Sequence, residues 1–90
     1  MSCKLVYKYP YFLKQKKFTL QLPVGWKFLT VMVENEKLFL WAEVRDGVAK
    51  ENVDFEVFGT GQEIPLTAEY LYTYTVGPFN FHLYMLRHVI

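Results

Sequence analysis

Residues 26–44, WKFLTVMVENEKLFLWAEV, decide how the rest of the chain is read. Two apolar runs flank Asn35-Glu36, a pair suited to the tip of a β-hairpin. Placing Glu34 opposite Lys37 sets the register: Val33 meets Leu38, Val31 meets Leu40, and Leu29 meets Ala42. All of these are apolar and share one side, because side chains alternate along a strand. The other side holds Met32 opposite Phe39, Thr30 opposite Trp41, and Phe28 opposite Glu43. That second face is too apolar for plain solvent-facing surface. It calls for cover by more of the chain or by a partner.

Toward the N-terminus, Phe18, Leu20 and Leu22 alternate with Lys17, Thr19 and Gln21, which predicts a half-buried strand broken by Pro23-Val24-Gly25. Before it, Leu5-Val6-Tyr7-Lys8-Tyr9 ends at Pro10, as an edge strand would. Lys14-Gln15-Lys16-Lys17 reads as a turn between the two. Toward the C-terminus, Arg45-Asp46-Gly47 predicts a turn, and residues 53–58 a strand with Val53, Phe55 and Val57 inward and Asp54 and Glu56 outward. Neighbours in sequence usually pair, so this strand is expected beside residues 38–44. Pro65 predicts a short helical turn over residues 65–69. Residues 70–76 and 79–89 form a second hairpin around Gly77-Pro78, with Val76, Tyr74, Tyr72 and Tyr70 opposite Phe79, Phe81, Leu83 and Met85. These elements predict one all-β domain over residues 1–90, a small antiparallel β-sandwich or barrel of about six to seven strands.

A chain of 90 residues that is 52% hydrophobic and 19% aromatic is no disordered tail or linker. Its net charge of +1 exerts no global pull on nucleic acid. The charges are nonetheless segregated. Six lysines and no acid lie before Glu34, while all nine acids fall between Glu34 and Glu69. Lysines guarding edge strands explain this, as does a basic patch for an anion or an acidic partner. The single cysteine, Cys3, allows no intrachain disulfide. With no signal peptide in view, a reducing cytoplasm is expected. No apolar run reaches the length of a membrane span, so no membrane association is expected.

The residues with chemical potential are few. His82 and His88 with Cys3 lack zinc-ligand spacing, so no metal site is expected, and His82 reads as a packed or hydrogen-bonded strand residue. Ser2 is the only serine and stands near the chain end, which leaves no nucleophile–base pair; no catalytic residue and no cofactor are expected. Gly59-Thr60-Gly61 lacks the context of a phosphate loop and reads as a tight turn or bulge. If an anion binds, Lys14, Lys16, Lys17, Gly59, Thr60 and Gly61 are the candidates. The aromatic content exceeds what a small core easily hides. Phe28, Met32, Phe39, Trp41, Tyr70, Tyr72 and Tyr74 are the candidate interaction residues, in a tight core, in an interface, or as stacking platforms for bases, in that order.

Leu22-Pro23-x-Gly25, Val31 to Val33, Leu40-Trp41-Ala42, Phe58-Gly59-Thr60-Gly61, Ile64-Pro65 and Phe81-His82 follow in an order that resembles a family of small tailed-bacteriophage proteins of unknown function. The chain departs from that pattern at Glu36, where such relatives carry glycine, and at Gly77-Pro78, where theirs is a longer connection. The resemblance implies a phage or prophage origin and the host bacterial cytoplasm as the place of action. It carries no enzyme activity and no ligand. Small accessory phage proteins often act by binding host machinery or host defence. The expected function is therefore a non-catalytic accessory protein that binds a host protein or itself, with counter-defence as one form of that role. A nucleotide- or nucleic-acid-binding module is the second expectation, and a minor virion or morphogenesis component the third.

Overall fold

A computed structural model describes residues 3–12, 15–35 and 37–87. Seven strands are formed by these residues: β1 (Lys4–Tyr11), β2 (Lys17–Pro23), β3 (Lys27–Glu34), β4 (Lys37–Arg45), β5 (Lys50–Gly59), β6 (Glu69–Val76) and β7 (Phe79–Leu86). They make two antiparallel sheets, of order β1-β4-β3 and β2-β5-β7-β6. The sheets exchange no ladder hydrogen bonds, so the expected sandwich forms and the barrel does not. The body is a flattened slab of 46 × 37 × 16 Å with two broad outer faces.

The slab is held by the faces turned toward each other. Leu22, Leu38, Leu40, Val44, Phe55 and Leu83 are fully enclosed there. An aromatic column runs through the same layer. Tyr11 stacks on Phe18 at 4.3 Å between centroids, Phe18 on Phe55 at 5.1 Å, and Trp26 meets Phe55 edge-on at 6.0 Å. Offset and edge-on contacts of this kind add to plain burial. Much of the aromatic content that the sequence left unplaced is thus interior.

Both hairpins close as the alternation predicts near their tips. Glu34 pairs with Lys37, and Asn35 takes the left-handed φ of 49° that a two-residue turn demands. Val76 pairs with Phe79, and Gly77 adopts a φ of 58°. A glycine-first turn leaves its second position at negative φ, which the ring of Pro78 already enforces.

Away from the tips both registers shift. A bulge between Phe28 and Thr30 sets Phe28, not Leu29, opposite Ala42, and moves Lys27 opposite Glu43. Phe28 therefore packs inward against the core while Leu29 is exposed, the reverse of the simple alternation. A second bulge between Tyr70 and Tyr72 sets Tyr70 opposite Tyr84 rather than Met85. One extra residue flips every side chain beyond it to the other face.

The largest correction is to strand order. β5 does not lie beside β4; it joins the other sheet between β2 and β7. The turn around Arg45 and Gly47 is a crossover between layers rather than a third hairpin. The basic connection after β1 likewise links different sheets; Gln15 N–H bonds back to the Phe12 carbonyl at 3.0 Å, while Lys14 lies outside the described residues. Residues 65–68 form a hydrogen-bonded turn, Ala68 N–H to the Pro65 carbonyl at 3.0 Å, and no helix, and Glu69 already begins β6. Glu56 was expected outward and exposed; it points outward but is buried, as is Phe58 beside it. The chain entering β2 covers both, pinned by Val57 N–H to the Lys16 carbonyl at 2.8 Å.

Candidate interaction surfaces

The outer face of the three-stranded sheet is built by β4. Leu38, Leu40, Ala42 and Val44 go inward, so Phe39, Trp41 and Glu43 go outward. β1 and β3 add Val6, Lys8 and Met32 to the same face through their registers with β4. Lys8 lies across the central strand. Its Nζ stands 4.5 Å from the Phe39 ring centre and 5.7 Å from that of Trp41, and reaches Glu34 on the far strand at 3.3 Å. The lysine stem shields the two rings while its ammonium rests on their faces. Met32 remains 49% exposed and Val6 53%, so the shielded rings border open apolar surface. Trp41 Nε1 is buried without a hydrogen-bond partner among the described residues.

The outer face of the four-stranded sheet has a different character. Tyr84 meets Phe58 edge-on at 5.5 Å and Tyr70 at the same distance. His82 is bonded on both ring nitrogens, Nδ1 to Thr73 Oγ1 at 2.9 Å and Nε2 to Thr60 Oγ1 at 3.0 Å. Thr73 Oγ1 also lies 2.8 Å from the Tyr70 hydroxyl. This chain of hydroxyls holds the imidazole in place and supplies no carboxylate to it. Lys16 and Lys17 approach the buried Glu56 at 3.7 and 3.9 Å, and Lys16 Nζ lies 5.7 Å above the Phe58 ring.

The segregated charges resolve across the strands. Lys4 of β1 pairs with Glu43 of β4 at 3.4 Å, Lys8 with Glu34, and the lysines at the start of β2 with Glu56 of β5. β1 and β2 are both edge strands, so the lysines also guard open edges. The apparent basic third is largely compensated within the molecule. Gly59-Thr60-Gly61 is a tight turn: Gln62 N–H reaches the Gly59 carbonyl at 3.2 Å, and the Gln62 side chain accepts the Gly59 N–H at 2.8 Å. That N–H is therefore engaged within the chain.

The seven candidate interaction residues do not share one surface. Phe39, Trp41 and Met32 do. Phe28 and Tyr72 face inward, with rings 6.1 Å apart across the sandwich, and Tyr74 is buried in the core. Tyr70, flipped by the bulge, stands on the opposite outer face at 53% exposure. Burial raises the pKa of the Tyr11 and Tyr74 phenols above the ordinary tyrosine value, and the two influence each other. The Tyr11 hydroxyl has no hydrogen bond of good geometry among the described residues. Sequence patterning missed the Lys8 arm and the Phe58–Tyr84–Tyr70 cluster, since both join residues from non-consecutive strands.

Among the described residues no group of three or more histidines, cysteines or acids could hold a metal ion. No helix of the described chain is long and apolar enough to cross a membrane. A family model described as a domain of unknown function (DUF7352) matches residues 3–89, nearly the whole chain. The chain belongs to the DUF7352 family. No curated protein and no solved structure matches it. Within this DUF7352 domain, the outer face around Trp41 combines open apolar side chains with a buried indole N–H that has no partner among the described residues.

Proposed function

We propose that this DUF7352 protein is a non-catalytic binding protein that uses the outer face of its three-stranded sheet. One observation carries the proposal: Phe39, Trp41 and Met32 share an outward face, and the Trp41 indole N–H there lacks an acceptor. Tryptophan and aromatic neighbours on a broad face are the usual anchors of a protein interface. A partner would cover Met32 and Val6 beside the shielded rings. The partner is a host protein or a second copy of the chain. The resemblance to tailed-phage proteins favours an accessory role in an infected bacterial cytoplasm, with interference in host defence as one form of it.

The nucleic-acid reading draws less support. Lys4, Lys8, Lys16 and Lys17 already face carboxylates, and Tyr72 and Tyr74 are turned inward. Sedimentation of the purified chain, together with affinity capture from bacterial lysate at moderate salt, tests the proposal. Wild type is expected to form a defined oligomer or to retain one stoichiometric protein, and Met32→Asp to lose it while staying folded. A monomer that retains nothing, or a Met32→Asp variant that binds as well as wild type, would overturn it.

A further inference from the structure

The described strands leave four sheet edges, and these are guarded unequally. β1 carries Lys4, Lys8 and Pro10, and β2 carries Lys17 and Pro23. Lysine and proline on an edge deter another strand from pairing with it. β3 has neither between its end residues Lys27 and Glu34: residues 28–33, FLTVMV, are uncharged, and Leu29, Met32 and Val33 are exposed. β6 lacks such guards too, but along its regular part, residues 72–76, no large apolar side chain is exposed. The bulge at Leu29 interrupts the start of β3 and leaves residues 30–34 regular. Glu34 and Lys37 close the two-residue turn with mutual ladder bonds, and the backbone of an antiparallel strand alternates between its partner and its other side. Glu34, Met32 and Thr30 thus aim their N–H and C=O groups at β4. Val33 and Val31 aim theirs at the open edge.

We propose that this edge pairs antiparallel with β3 of a second copy of the chain, about a two-fold axis at Met32. The axis sets Met32 against the partner's Met32, Val31 against the partner's Val33, and Thr30 against the partner's Glu34. The valine pairs are the ones whose backbone groups face the open edge, so each exchanges both ladder bonds. The side chains match as well. Valine meets valine on the inner side of the sheet, methionine meets methionine on the outer side, and each Glu34 lies opposite a threonine rather than a second acid. A two-fold contact needs a self-complementary patch, and residues 30–34 supply one with nothing from outside the chain. An axis at Val31 would instead set Leu29, displaced by the bulge, against the partner's Val33 and break the ladder there. With the axis at Met32 the two three-stranded sheets run on as one, and their Phe39–Trp41 faces lie side by side. This pairing rests on the binding role proposed above and narrows its partner to a second copy.

Sedimentation of the full chain from micromolar to submillimolar concentration should show a monomer–dimer equilibrium. Amide hydrogen exchange should slow at Val31 and Val33 as the dimer forms, and more than at Met32, whose N–H already serves β4. Val33→Pro removes a donor that β4 does not use, so the fold should persist while the dimer dissociation constant rises at least about tenfold. Should that variant fail to fold, the exchange of the wild-type amides decides alone. A dimer that survives Val33→Pro, or that leaves the Val31 and Val33 amides exchanging as before, overturns the pairing. A monomer that captures a host protein, or a dimer lost with Met32→Asp yet kept with Val33→Pro, overturns the edge pairing alone and leaves the outer-face reading standing. A monomer that captures nothing overturns both.

Discussion

The two outer faces of the sandwich start from the same material and end differently. Each carries aromatic rings, lysine and acid on a β-sheet. On the four-stranded sheet the polar atoms find one another: His82 with two threonines, Thr73 with Tyr70, Glu56 with two lysines. On the three-stranded sheet Lys8 and Glu34 make one strap over Phe39 and Trp41, and the indole N–H stays unmet beside open apolar surface. A buried donor without an acceptor costs about 1–3 kcal/mol. The N–H is itself buried, so what a partner gains on this face is the cover of Met32 and Val6. A face whose network closes on itself gains little.

That contrast requires the layer between the faces to hold the fold without them. Phe55→Ala is the most severe break of that layer, since Phe55 is fully enclosed and touches both Phe18 and Trp26 in the aromatic column. A loss of about 3–5 kcal/mol is expected by urea unfolding, enough to unfold a marginal domain of this size. A loss below ~1 kcal/mol would mean that the outer faces hold more of the fold than the contrast allows.

The sharpest test of the contrast is a matched pair. Trp41→Phe removes the unmet N–H and keeps a ring, so stability should change by less than about 1 kcal/mol. Partner binding or self-association should nonetheless weaken by roughly tenfold if the larger indole ring helps to shape the docking face. Thr73→Val on the other face deletes the bridging hydroxyl between Tyr70 and His82, and should cost about 1 kcal/mol of stability with binding unchanged. Unfolding curves and sedimentation on the same two variants measure both quantities. If Thr73→Val lowers binding and Trp41→Phe does not, the faces have been assigned the wrong way round.

How far the sequence could be read follows from what period-2 alternation encodes. The hairpin turns, the Val31–Leu40 and Tyr72–Leu83 pairs, and the all-β class were all legible because they depend on neighbours within a few residues. The two bulges were not. Leu29 and Leu71 are apolar residues that continue a plausible alternation, and nothing local announces that each drops out of its ladder. The inward turn of Phe28 and the outward turn of Tyr70 follow directly from that. Strand order failed for another reason: Arg45-Asp46-Gly47 signals a turn but not whether the chain stays in its sheet. The segregated lysines and acids carry a further clue to strand order. They place β1 against the acid-bearing hairpin β3–β4, and β2 against β5, as the ion pairs do.

The smallest effect at neutral pH concerns a second unmet polar atom, placed where no partner can reach. The Tyr11 hydroxyl is buried in the core, so Tyr11→Phe should change stability near pH 7 by no more than about 0.5 kcal/mol, with either sign, and leave binding intact. Its signature is alkaline. Burial raises the phenol's pKa in the folded state above that of the unfolded chain, so the folded state holds the proton longer. Stability from this group is then complete below the unfolded value near pH 10 and falls as pH rises above it. Unfolding at pH 8 and pH 11 should show a steeper loss in wild type than in Tyr11→Phe, with Tyr74 supplying part of what remains. Equal losses would mean that the Tyr11 phenol ionises as freely in the folded chain as in the unfolded one. The contrast between the sealed core and the outer faces would then lose its interior half.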